Sequence, residues 1–89
     1  MNPDAILRQI IEKQQQGVLV MWTVYDRPSD FPNSFVARRF EVGQAGQIAT
    51  DDLIQSDSLQ AIRKSFKSCG MHCLKRDPSD DVKIIETWL

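Results

Sequence analysis

Apolar residues recur at helical spacing near the start of the chain. Ile6, Leu7, Ile10 and Ile11 share one stripe, and Arg8, Gln9, Glu12 and Lys13 fall away from it. Asn2 suits an N-cap, Pro3 the first helical position and Asp4 the positive end of the helix dipole. Gly17 is the expected stop. The period then changes to two. Val18 to Tyr25 predicts a strand with Val18, Val20, Trp22 and Val24 on one face and Leu19, Met21, Thr23 and Tyr25 on the other. Both faces are largely apolar, the pattern of a central strand. Asp26 to Asn33, with Pro28 and Pro32, predicts a loop, and Ser34 to Val42 a second strand. Its apolar parity switches between Phe35/Ala37 and Phe40/Val42, which predicts a bulge or twist near Arg38–Arg39.

Gly43–Gln47 predicts a turn, so the second strand runs back antiparallel to the first or leads into a hairpin with Ile48–Thr50, and Asp52 to Gln55 reads as a further short strand. Leu59, Ile62, Phe66 and Cys69 line one face of a second helix, with Asp57 as its expected cap, Gln60 as the reciprocal capping-box partner and Gly70 as its end. Met71–Arg76 and Val82–Leu89 read as strands, joined by a type I turn that begins at Asp77–Pro78. The order α-β-β-(β)-α-β-β, with short turns and one apolar face per helix, predicts an α+β fold. Its expected form is a two-layer arrangement, a mainly antiparallel sheet of about four strands with both helices on one face.

Length and charge narrow the picture. Residues 1–89 make one domain. Eleven basic against twelve acidic residues give a net charge of −1, which disfavours a sequence-independent nucleic-acid binder. No apolar run approaches the roughly 20 residues of a membrane span, and MNPDAILRQI lacks the basic and apolar regions of a signal peptide. Two cysteines are too few for a disulfide framework, so a cytoplasmic location is the expectation.

The segment CGMHC invites a redox or metal reading. Cys69 and Cys73 are spaced C-x-x-x-C at a helix C-terminus, where the dipole raises a thiol pKa, and with His72 they supply at most three zinc ligands. Two packed thiols are the expectation. Asp51–Asp52 and Asp80–Asp81 lie in turns, where Asp bonds the local backbone. No catalytic constellation, phosphate loop, metal site or cofactor motif is found. Tyr25, Asp26, Arg27, Arg38 and Arg39 form the candidate binding group. Pairing of the flanking strands brings the loop start and the two arginines to the same edge of the sheet. Arginine forks onto carboxylates or phosphates, and the plainer reading pairs Asp26 or Asp30 with Arg38 or Arg39 to hold the loop down. Ile84 and Trp88 are candidate interface residues if the last strand lies at an edge.

Three runs, WTVYDRPSDFPNSFVARRFEV (Trp22 to Val42), TDDLIQSDSLQAIR (Thr50 to Arg63) and DPSDDVKIIETWL (Asp77 to Leu89), carry a resemblance. They resemble small uncharacterised bacterial proteins found in mobile DNA such as prophages and gene cassettes. The resemblance covers about three quarters of the chain, excludes the first helix, and implies no activity and no site residues. The residues point first to a non-enzymatic protein-binding module, working through a protein partner or as a homodimer. A small-ligand or regulatory domain using the Tyr25 and arginine surface is the alternative. The resemblance adds a third expectation, an inhibitor of a host or phage system.

Overall fold

A computed structural model describes residues 2–89. Helix α1 spans Pro3–Gln15, strands β1 Leu19–Asp26, β2 Phe35–Gly43 and β3 Gly46–Ser56, helix α2 Leu59–Ser68, and strands β4 Cys73–Lys75 and β5 Ile84–Trp88. The fold is α+β, as expected, with five strands in place of about four because the optional segments Ile48–Thr50 and Asp52–Gln55 join into one full strand, β3. Strand order is β3-β2-β1-β5-β4, and every neighbouring pair is antiparallel.

The ends of both helices are fixed by local chemistry. The Asn2 side chain accepts the Ala5 N–H at 2.8 Å, and Pro3 follows it. At the other end Gly17, at φ +73°, lets its own N–H reach the Gln14 carbonyl while the Val18 N–H reaches Lys13. The second helix ends the same way around Gly70, with Gly70 N–H on Lys67 and Met71 N–H on Phe66. Its start differs from expectation by one residue. Ser58, not Asp57, is the N-cap, and its hydroxyl accepts the Ala61 N–H at 3.2 Å. The shift arises because Ser56 accepts the Ser58 N–H and turns the chain one residue later. Ser58→Ala therefore costs about 1 kcal/mol in a urea melt, and Asp57→Ala a fraction of that.

Both helices lie on one face of the sheet. Ile6 from α1 and Ile62 and Phe66 from α2 are enclosed with Val20, Trp22 and Val24 of β1, Ala37 of β2 and Trp88 of β5. The Phe66 ring sits between two indoles, with centroids 5.5 Å from Trp22 and 5.6 Å from Trp88. The other half of the α1 stripe does not reach this core: Leu7 and Ile11 are exposed.

Two irregularities decide which side chains face which way. Pairing of β1 with β2 is regular from Leu19↔Val42 to Asp26↔Phe35, so β2 itself carries no bulge. The irregularity near Arg38–Arg39 is in the facing strand: Arg38 pairs with Leu53 and Phe40 with Ala49, which leaves the extra residues on β3 around Thr50–Asp52. The parity switch in β2 instead reflects two apolar faces, since Phe35 and Ala37 stand with Trp22 and Val24 under the helices while Phe40 and Val42 stand with Met21 and Leu19 opposite. The second irregularity is on β5. Val24 pairs with Glu86 but Tyr25 pairs with Ile84, so Ile85 is the extra residue.

Candidate functional site

Strand pairing divides the predicted binding group. Neighbouring residues of a strand point to opposite faces. Arg39 stands opposite Trp22 and turns toward the helices, while Arg38 stands opposite Thr23 and turns away from them. The two arginines do not form one site.

Arg39 is buried in a structural clamp. Its Nε and Nη2 donate to Asp52 Oδ2 at 2.9 and 2.7 Å, and its Nη1 donates to Glu41 Oε2 at 2.5 Å. Gln9 of α1 donates to the same Asp52 oxygen at 3.1 Å, and Lys13 lies 3.4 Å from Glu41. Thr50 donates its hydroxyl to the Arg39 carbonyl and accepts the Asp52 N–H, which shapes the β3 bulge around the guanidinium. Arg39 holds the carboxyls of Asp52 and Glu41 below their ordinary range, with Gln9 assisting at Asp52 and Lys13 at Glu41. The clamp ties α1 to the β2–β3 hairpin, and every nitrogen of Arg39 is engaged in it.

Arg38 pairs with Asp30, the plainer of the two readings for this group, and holds the proline-containing loop against the sheet. Arg27 has φ +47° and sets its guanidinium 5.7 Å from the Phe35 ring centroid. Its backbone N–H donates to Ser34, and its carbonyl accepts from Lys83. Asp26 is exposed at the strand end, and its N–H donates to the Lys83 carbonyl. Of the predicted group, only Tyr25 and Arg38 share the face opposite the helices. Burial and the carboxylates of Asp81 and Asp80 push the Tyr25 phenol up, against the pull of Arg38.

The interface residues are separated too. The strand β5 lies between β1 and β4, so it is not an edge. Trp88 is 3% exposed and belongs to the core, a correction to its expected role at an interface. The bulge at Ile85 sends Ile84 to the opposite face, beside Tyr25. The thiols divide in the same manner. Cys69 packs against the core and donates to the Pro3 carbonyl at 3.1 Å, whereas Cys73 is exposed on β4. Both are pushed above the ordinary thiol range, by burial first and at Cys73 by the Glu86 carboxylate as well.

What the structure brings together is the sheet face that no helix covers. Met21, Thr23 and Tyr25 of β1, Phe40 of β2, Leu74 of β4 and Ile84 of β5 line one shallow hollow of ≈ 370 Å³. Leu74 is 51% exposed, and Leu19, on the same face of β1, is 44% exposed. Lys75, Asp77 and Asp80 border the hollow at the β4–β5 turn. That turn closes with Asp80 N–H on the Asp77 carbonyl at 2.9 Å, the bond expected of a turn begun at Asp77–Pro78. The sequence signal for this face was the second apolar row of β1. Leu74 was missed because β4 is three residues long and shows no period of its own.

No family model matches the chain, and no curated protein and no solved structure is found similar to it. Among the described residues, no helix is long and apolar enough to cross a membrane.

Proposed function

We propose that the chain is a non-enzymatic protein-binding module that takes a second copy of itself on the uncovered sheet face. The observation that carries this reading is the apolar row across β1, β2, β4 and β5 formed by Met21, Phe40, Leu74 and Ile84, with Leu19 at its margin. A sheet is stable when both faces are covered or one is polar. Here the second face is enclosed at Val36 and Thr23, while its apolar Leu19 and Leu74 remain exposed. Two such faces pack against each other about 10 Å apart, as in a sandwich. A twofold axis makes the patch its own partner, and a net charge of −1 opposes the approach only weakly. A standard interface buries about 800 Å² per partner, which is roughly one seventh of this chain's 5680 Å² surface.

Sedimentation equilibrium tests the reading. The expected mass at high concentration is twice the 10.2 kDa of one chain. Leu74→Asp and Leu19→Asp return it to one chain while the melting temperature of the dilute, monomeric protein holds, because both side chains already meet solvent. A mass of one chain at every concentration overturns self-association, as does a dimer that survives both substitutions.

A further inference from the structure

A second concavity lies on the helix side of the sheet, in a cleft of ≈ 420 Å³ between α2 and the β4–β5 hairpin. Arg63 and Lys67, one turn apart on α2, form one wall, Lys75 of β4 the other, and Ile85, Glu86 and Trp88 the floor. Three cations therefore face one carboxylate, in a chain whose overall charge is slightly negative.

That carboxylate is already saturated. Arg63 Nε donates to both Glu86 oxygens at 3.2 and 3.1 Å, Arg63 Nη2 to Oε1 at 2.8 Å, and the Trp88 indole N–H to Oε2 at 2.8 Å. Glu86 thus fixes the Arg63 guanidinium through two of its nitrogens and leaves Nη1 without a protein partner among the described residues. The Lys67 and Lys75 ammonium groups likewise form no ion pair among the described residues. A preorganised guanidinium edge flanked by two unpaired ammonium groups concentrates positive potential in a cleft with a partly apolar floor. The volume falls in the range of small-molecule sites, about 300–1,000 Å³.

We infer that this cleft binds a small organic anion, its carboxylate or phosphate between Arg63, Lys67 and Lys75 and its apolar body on Ile85 and Trp88. The charge supplies attraction, and the Ile85 side chain with the small exposed edge of Trp88 distinguishes an organic anion from a bare inorganic one. The cleft opens on the helix side of the sheet, and Lys75 alone borders both it and the uncovered face, so Lys67→Glu tests the anion site separately from self-association.

The test is a ¹⁵N–¹H NMR titration at low salt with benzoate and phenyl phosphate, which distinguish the two anionic groups. Benzyl alcohol and inorganic phosphate serve as the uncharged and the non-organic comparisons. Saturable shifts are expected at the Trp88 indole N–H and the Lys67 and Lys75 amides with at least one of the organic anions. Little change is expected at the enclosed Trp22 indole. Lys67→Glu and Lys75→Glu, both on exposed side chains, are expected to weaken binding at least tenfold with the melting temperature unchanged. The inference is overturned if neither organic anion gives saturable shifts, or if charge reversal leaves the affinity intact. It is also overturned if benzyl alcohol or inorganic phosphate binds as tightly as the organic anions.

Discussion

Phe66→Ala lowers stability by about 3–5 kcal/mol, a large part of the roughly 5–10 kcal/mol expected for a chain of this size. The ring is fully enclosed and is the piece of α2 that enters the space between Trp22 and Trp88. Truncation leaves a void bounded by two indoles, which are too broad and too firmly held in the sheet to collapse into it. The loss of two aromatic contacts adds to the void. Urea unfolding followed by tryptophan emission reads the effect directly, because both fluorophores flank the missing ring. Phe66→Leu, which keeps most of the volume, is expected to fall well short of the alanine variant. A loss below about 1.5 kcal/mol for Phe66→Ala would show that α2 is not seated on the two tryptophans.

Arg63→Ala costs about 2–4 kcal/mol at neutral pH and diminishes the Glu86 contribution to the pH dependence of stability in the acid range. In the native chain burial pushes the Glu86 carboxyl up, and the hydrogen bonds from Arg63 and Trp88 more than offset it, so the group lies below its ordinary 4.5. A lowered carboxyl pKa stabilises the fold above the ordinary value, and that contribution is lost as pH falls through the lowered one. Without Arg63, burial pushes the carboxyl up against only the remaining Trp88 and Cys73 contacts. The Glu86 contribution that grows with pH in the native chain is therefore diminished in the variant. Asp52 and Glu41, both lowered by Arg39, lose their contributions in acid in either protein. The difference between the two pH curves therefore isolates Glu86. Adding Glu86→Gln to Arg63→Ala is expected to flatten that difference. A variant curve parallel to the native one would mean that the Arg63–Glu86 pair contributes nothing.

The elements that were legible from the amino acids share a simple trait: the residues that define them are contiguous. Asn2–Pro3 before a stripe of isoleucines, two alternating apolar rows in Val18–Tyr25, and Gly70 after Phe66 each announce their structure within a few positions. The sites were harder to read because they depend on which face a residue reaches. Arg38 and Arg39 are adjacent in the chain and meet different partners on opposite sides of the sheet. Ile84 and Trp88 share parity in the chain, yet one extra residue at Ile85 sets them on opposite faces. No local pattern near Ile85 marks that bulge. The partnership of Arg63 with Glu86 spans 23 positions, and only the packing of α2 across β5 creates it. The strand Met71–Arg76 and its turn onto the last strand were readable, but the position of β5 inside the sheet depends on its pairing with β1, far away in the chain.

The bulge that Arg39 holds in β3 also bears on how the protein avoids polymerising. With eleven residues, β3 is the longer of the two outermost strands, and its free side presents backbone groups ready to recruit another chain. The register break at Thr50–Asp52 interrupts that template midway and places the Asp51 and Asp52 carboxylates beside the gap. An incoming strand would find no continuous ladder and would meet the exposed Asp51 carboxylate at the break. Releasing the clamp would therefore do more than loosen α1, because a straightened β3 would lengthen the unpaired edge that another chain can recruit.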